Sequence, residues 1–292
     1  MKIKVYLLSA FGVSKNGGNP AGVVLNADSL TDNQKKAISK IVNYSETAFI
    51  SSSDKADFKV TFFTPKDEVD LCGHATIATY SLLYQKHLFK SGVYKQELKS
   101  AILPIEIRND GLILMDQPLP TFSEEVSVDE IMNIFNISKN IILRTHLKPQ
   151  IVSTGLRDIL LPIIDRKALF DLKPDFKKMS KLNKKTNSVG FHAFTFDTIN
   201  NNSLAHCRNF APLYGIKEEA ATGSSSGALA CFLFKNKMIK NHDLNKLVFE
   251  QGYSMDKPSE INVLLEAKNN NIITRVRVGG KAILFGEKIL EI

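Results

Sequence analysis

The sequence predicts an α+β fold in which two related halves each roll a sheet around one buried helix. Three observations carry this reading. The chain holds many short apolar strands punctuated by turn residues and few helices, which argues for rolled or closed sheets and against a doubly wound parallel fold. Two segments, about 75–86 and 225–236, have helical composition and are apolar on more than one side, as central rods are. One pattern (strand, F-x-P, acidic turn, glycine-led helix start, apolar helix) occurs in both halves.

Length and composition set the frame. A chain of 292 residues suits one large or two medium domains, and 43% hydrophobic with 23% charged residues is ordinary for a globular protein. The net charge of +8 comes largely from scattered lysines. The densest group, Lys177, Lys178, Lys181, Lys184 and Lys185, has no interleaved aromatics, so it reads as a solvated face and not as a nucleic-acid site. Cys72, Cys207 and Cys231 are odd in number and lack metal-ligand spacing, which disfavours a disulfide framework and favours a reducing cytosol. No window approaches the roughly 18 apolar residues of a membrane span, so a cytoplasmic protein with no membrane partner is expected.

Residues 2–8 alternate as a strand, and Gly17-Gly18-Asn19-Pro20 is a turn signal before a second strand at 21–25. Thr31 and Gln34 form a capping box for a helix with Ile38, Ile41 and Val42 on one face. Strands follow at 48–51 and 59–63, then the first apolar helix. Further strands fall at 102–107, an edge strand at best because of Pro104, and at 112–115. In the second half, Ser127 and Glu130 read as a capping box for a helix at 128–135, and Pro174 opens a short helix at 175–182. Strands are expected at 151–154, 159–164, 191–196, 204–210, 246–250, 261–266, 274–278 and 282–284, with Gly279-Gly280 as the last hairpin. Setting Gly223 on Gly73 aligns Ala228 with Ala78 and Leu233 with Leu83, while Phe210-Ala211-Pro212 echoes Phe63-Thr64-Pro65. The domains are therefore expected at 1–118 and 119–281, with a final strand near 282–292 able to pair back onto the first.

The chemistry points to the helix starts. Backbone N–H groups there lack intrahelical partners, and the dipole adds roughly half a positive charge, so each can hold an anion. Gly73 and His74 open one helix; Gly223 opens the other, with Ser224, Ser225 and Ser226 offering more hydroxyls than a cap needs. Glu46, between Ser45 and Thr47 at the entrance of an apolar strand, is the candidate base, its pKa raised by desolvation. Glu219 precedes the second helix as Asp70 precedes the first, which dipole complementarity alone would explain. There is no G-x-S-x-G, Walker loop, H-E-x-x-H or G-x-G-x-x-G, and the six histidines and three cysteines are dispersed. Acid–base chemistry with no cofactor and no metal remains.

At these residues the chain resembles the PhzF-like phenazine-biosynthesis isomerase family, within the diaminopimelate epimerase-like fold group. Gly18-Asn19-Pro20-Ala21 resembles its G-N-P-A motif, Ser45-Glu46-Thr47-Ala48-Phe49 its S-E-T-x-F, and Cys72-Gly73-His74-Ala75-Thr76 its C-G-H-A-T. Phe63-Thr64-Pro65 with Glu68 resembles F-T-P-x-x-E, Arg208 to Pro212 resembles R-x-F-A-P, and residues 218–224 resemble E-D-P-x-T-G-S. The resemblance implies two pseudo-symmetric β-rolls, an active site between the halves, a homodimer and cofactor-independent proton relocation. It gives Glu46 the proton shuttle, His74 and Glu219 polarising or orienting roles, and Asn19, Gly73, Gly223 and Ser224 the binding of a small carboxylate-bearing substrate. One departure stands out. The family's Asp-Pro is matched by Glu219-Ala220, a carboxylate one methylene longer on a backbone less restrained without proline, which implies a different substrate or reduced activity. Related epimerases oppose two cysteines; here Cys72 matches one and Thr222 stands at the other. An isomerase is the leading expectation. The alternatives are an amino-acid epimerase or racemase using Cys72 and a non-catalytic binding protein on this scaffold.

Overall fold

Residues 1–269 and 272–292 are described by the computed structural model, which falls into two units, Met1–Met115 with Gly279–Ile292 and Asp116–Val278. The boundaries expected from the sequence, 118/119 and 281/282, lie a few residues further on.

The first unit opens with β1 (Lys2–Ala10) and β2 (Asn19–Val24), an antiparallel pair. Gly18 makes the turn between them with φ 62°, where a side chain would strike the Ala10 carbonyl. Helix α1 (Asp32–Val42) starts at the Thr31–Gln34 capping box and stops where Asn43 turns left-handed. Its buried stripe is Lys35, Ile38, Ser39 and Val42 at helical spacing. Ile41, expected on that face, falls beside the stripe and is 52% exposed. Next come β3 (Glu46–Ser51), parallel to β2, then β4 (Phe58–Phe63), β5 (Glu68–Val69) and helix α2 (Gly73–Gln85). Strands β6 (Gly92–Glu97), β7 (Ile102–Ile107) and β8 (Ile113–Gln117) follow, β6 running parallel to β4.

Strand β7 is not an edge strand, because it pairs with both β6 and β8. The β8 pairing covers only Ile105 to Ile107, so Pro104 sits outside it and its missing N–H breaks no ladder there. Helix α2 packs against β1, β2 and β3 and buries every residue from Ala75 to Leu83. Burying each large apolar side chain on it, such as Ile77 or Leu82, contributes about 1.5–3 kcal/mol.

The second unit holds β9 (Thr121–Glu125), α3 (Val128–Phe135), α4 (Asn140–Leu143), β10 (Gln150–Ser153), β11 (Arg157–Pro162), α5 (Arg166–Phe170), α6 (Phe176–Lys185), β12 (Gly190–Thr195), β13 (Ala205–Ala211) and β14 (Ile216–Glu219). Then come α7 (Gly223–Lys235), β15 (Leu247–Gln251), β16 (Ser259–Lys268) and β17 (Ile272–Gly280). Ser127 precedes α3 without a side-chain cap bond, so the expected Ser127–Glu130 capping box does not form. The core beneath α3 and α6 joins Ile131, Phe135, Ile151, Leu161, Met179 and Phe191. Helix α7 packs on β10, β11 and β16.

The last strand, β18 (Ala282–Glu291), pairs antiparallel with β1 along its whole length and completes the first unit. Gly279 and Gly280 end β17 as strand residues and not as a hairpin turn. A side chain at Gly279 would meet the Ile113 carbonyl, so the glycine is there for close backbone approach.

The repeat read from the sequence is architectural. In the first unit β4, the β5 hairpin and α2 lead to β6, parallel to β4; in the second β13, the β14 hairpin and α7 lead to β15, parallel to β13. Pro65 and Pro212 lie in the two hairpin connections. Both central helices are 13 residues long, and their N-cap residues share one extended geometry, φ −134° ψ 111° at Cys72 and φ −130° ψ 97° at Thr222.

Candidate active site

In the first unit, chain order brings together residues far apart in sequence. Parallel pairing sets Glu46 beside Ala21 at the start of β3, at the same end of the sheet as the N-terminus of α2. Cys72 provides no side-chain cap, and no acidic residue occupies the first turn of α2. The helix-start amides are therefore left for another acceptor, with the dipole unopposed. A Cβ at Gly73 would meet only Met115 Cε, at 3.5 Å, so packing does not demand glycine there.

His74 lies between three neighbours. Its Nε2 is 3.1 Å from Glu46 Oε2 and 3.2 Å from Ser45 Oγ, and its Nδ1 is 3.4 Å from Cys72 Sγ. The side chains of His74 and Glu46 are 12% and 19% exposed. Glu46 Oε2 is buried and pairs with the imidazole across that 3.1 Å contact.

The charges follow. Burial pushes the Glu46 carboxyl up, but His74, Ser45 and Cys72 outweigh it and hold the group below its ordinary value of 4.5. This reverses the raised pKa expected from desolvation alone. Burial opposes charge on His74, yet Cys72 and Glu46 hold the imidazole well above its ordinary 6.5. At neutral pH the pair is carboxylate and imidazolium. The donor atoms of Glu46, Cys72 and His74 all lie within 4.8 Å of one another, a cluster that their dispersal along the chain concealed. Asn19 stands at the start of β2, two residues before Glu46's strand partner Ala21.

The second unit presents a different helix start. Thr222 gives no side-chain cap to α7, and its first turn also lacks an acidic residue. The three serines divide: Ser225 Oγ bonds Asp158, Ser226 Oγ donates to the Thr222 carbonyl at 2.9 Å, and Ser224 has no hydroxyl bond among the described residues. Ser224 therefore has a free hydroxyl to offer a ligand beside Gly223. Glu219 ends β14 and is half-buried.

Ala220 does not leave this loop unrestrained. Buried Gln251 donates to the Glu219 carbonyl at 2.7 Å and to Thr222 Oγ1 at 3.1 Å, and accepts from the Thr222 N–H at 3.2 Å. Thr154 Oγ1 donates to the Ser224 carbonyl at 3.0 Å. Gln251, Thr154 and Asp158 were not legible as site residues, since each reaches the helix start from a strand remote in sequence.

Glu46, His74, Gly73 and Asn19 thus belong to the first unit, and Glu219, Gly223 and Ser224 to the second. The family model PhzC-PhzF, described as phenazine biosynthesis-like protein, matches residues 8–288. The chain belongs to the PhzC-PhzF family. It is similar to an uncharacterized isomerase of Clostridium acetobutylicum, at 34% identity over 97% of this chain and 96% of that one. It is also similar to the trans-2,3-dihydro-3-hydroxyanthranilate isomerase of Pseudomonas chlororaphis, 26% identical over 96% of each chain. Among solved structures, a PhzF-family phenazine biosynthesis protein of Bacillus anthracis superposes with a TM-score of 0.88 at 28% identity, covering all of both chains. The protein is a PhzF-like isomerase with the epimerase-like α+β fold that the sequence predicts. Among the described residues no helix is long and apolar enough to cross a membrane.

Proposed function

We propose that this isomerase relocates a proton within a small, unsaturated, carboxylate-bearing metabolite, with Glu46 as the base that removes the proton and the acid that returns it. The observation that carries the reading is the buried Glu46 carboxylate paired at 3.1 Å with an imidazole held cationic. Glu46 takes the proton from carbon, leaving a delocalised anion. His74, as imidazolium, polarises or orients that anion, and the protonated Glu46 delivers the proton to another carbon of the same system. No cofactor is required by this sequence of steps. On the family resemblance, Gly73, Gly223 and Ser224 are assigned to binding the substrate carboxylate, Glu219 to orienting it and Asn19 to binding. The Pseudomonas relative's name specifies a cyclic dihydro-hydroxyanthranilate; the same class, not that compound, is proposed here.

The test is Glu46→Gln. Turnover and substrate-derived exchange of deuterium from solvent should fall at least about 10³-fold while binding is kept. Turnover near the wild-type level would sink the assignment.

A second reading is favoured by Cys72 Sγ standing 3.4 Å from His74 Nδ1. There Cys72 is one base of an epimerase or racemase. Exchange at an amino-acid α-carbon that disappears in Cys72→Ser would select it; retained isomerisation in Cys72→Ser selects the first. A cytoplasmic homodimer is proposed on the family resemblance. Light scattering that returns a monomer mass would remove the dimer.

A further inference from the structure

One charged group in the second unit has no place in the proton transfer. Asp158, on β11, is 2% exposed. Its Oδ2 accepts from Ser225 Oγ, in the first turn of α7. Ser225 Oγ also accepts from Asn209 Nδ2 at 3.1 Å, and Asn209 Nδ2 lies 3.2 Å from His192 Nδ1. The chain Asp158–Ser225–Asn209–His192 is buried throughout and ties the helix start to β11, β12 and β13.

Among the described residues no cation pairs with the aspartate. Its strand partners are Val152 on β10 and Gly190 on β12, neither charged. From β13 it faces the neutral amide of Asn209 and, beyond it, His192 on β12, which burial pushes down to about 3 and keeps neutral. From β14 comes Glu219, a like charge. Burial and Glu219 push Asp158 up to about 6, against the stabilising Ser225 bond. An unliganded site at neutral pH therefore holds a largely ionised Asp158 stabilised by one hydroxyl and the α7 dipole.

We propose that Asp158 is a positioning residue for the α7 helix start, fixing its first turn through Ser225 and taking up a proton from solvent when an anion docks there. A carboxylate at the Gly223 and Ser224 amides adds negative charge to the same small region. Protonating Asp158 relieves the repulsion while the bond to Ser225 persists. The inference rests on the carboxylate-binding reading of α7.

The experiment uses 3-hydroxyanthranilate as probe, titrated calorimetrically into the full chain at pH 7 in two buffers of different ionisation enthalpy. The wild type should take up a substantial fraction of one proton per site, and Asp158→Asn close to none. Between pH 6 and pH 8 the wild-type affinity should fall, by up to about tenfold per pH unit, since the free protein must first gain the proton. In Asp158→Asn it should vary much less. Equal proton uptake in the two proteins, or none in the wild type, overturns the proposal while leaving the carboxylate site intact. No binding to the wild type overturns the carboxylate reading and the proposal with it. Should Asp158→Asn fail to fold by circular dichroism, Ser225→Ala decides: altered proton uptake supports the linkage through this bond, and wild-type uptake defeats it.

Discussion

The starts of α2 and α7 are the same piece of architecture given different chemistry. Each follows a hairpin containing an F-x-P, each has an extended N-cap residue that makes no side-chain cap, and each opens on glycine with no acid in the first turn. At α2 the flanking side chains are a carboxylate, an imidazole and a thiol: Glu46, His74 and Cys72 lie close together. At α7 the flanking groups are mostly hydroxyls and amides, clamped by Gln251, Thr154 and the buried Asp158. The comparison teaches that a duplicated helix start can offer an anion the same backbone geometry twice. Reactivity is then decided by which side chains neighbouring strands aim at it.

The strongest way to break this division is at His74. His74→Asn should lower kcat/KM by about 10²–10⁴-fold. The wild-type profile should fall in acid only below the ordinary glutamate value of 4.5, as Glu46 is protonated, and in alkali only above the ordinary histidine value of 6.5, as His74 loses its proton. The asparagine variant should lose the alkaline limb, while its acid limb moves up in pH because Glu46 loses the imidazolium that lowers it. An unchanged alkaline limb would mean that His74 is not the group responsible.

The α7 side predicts smaller effects of another kind. Ser224→Ala removes one hydroxyl and should raise KM several-fold to about tenfold, the worth of about 1–1.4 kcal/mol, with kcat little changed. A loss confined to kcat would move Ser224 to the reactive side of the comparison. Gln251→Ala leaves the Thr222 N–H without its acceptor and the Glu219 carbonyl without its donor. It should cost about 1–3 kcal/mol, seen as a fall of several degrees in Tm. The smallest change should be in Gly73→Ala, whose Cβ meets ordinary contact only and whose helix propensity improves, so Tm should hold or rise slightly. A clear drop would make Gly73 a packing glycine.

The central helices and their repeat were legible because an unbroken apolar run and an F-x-P are local signals. The motif residues were legible for the same reason. What local pattern could not carry was partnership. Ser127 and Glu130 have the spacing of a capping box, as Thr31 and Gln34 do, yet only the second pair forms one. Pro104 looked incompatible with two neighbours until the short reach of β8 explained it. The lowered Glu46 pKa depended on His74, 28 residues away and brought close only by the fold. Gln251 repairs the restraint that Ala220 gave up, and nothing around residue 251 announces that role.

The pairing of β18 with β1 has a consequence for synthesis. Residues 116–278 are contiguous and can collapse as they leave the ribosome, whereas the first unit holds β1 without one of its neighbours until residues 282–291 have emerged. The nascent first unit thus waits with an open strand edge, the kind of surface that recruits other chains. Lys2 and Lys4, at the start of β1, put charge on that edge, and the arriving strand brings their counterions, Glu291 and Glu287.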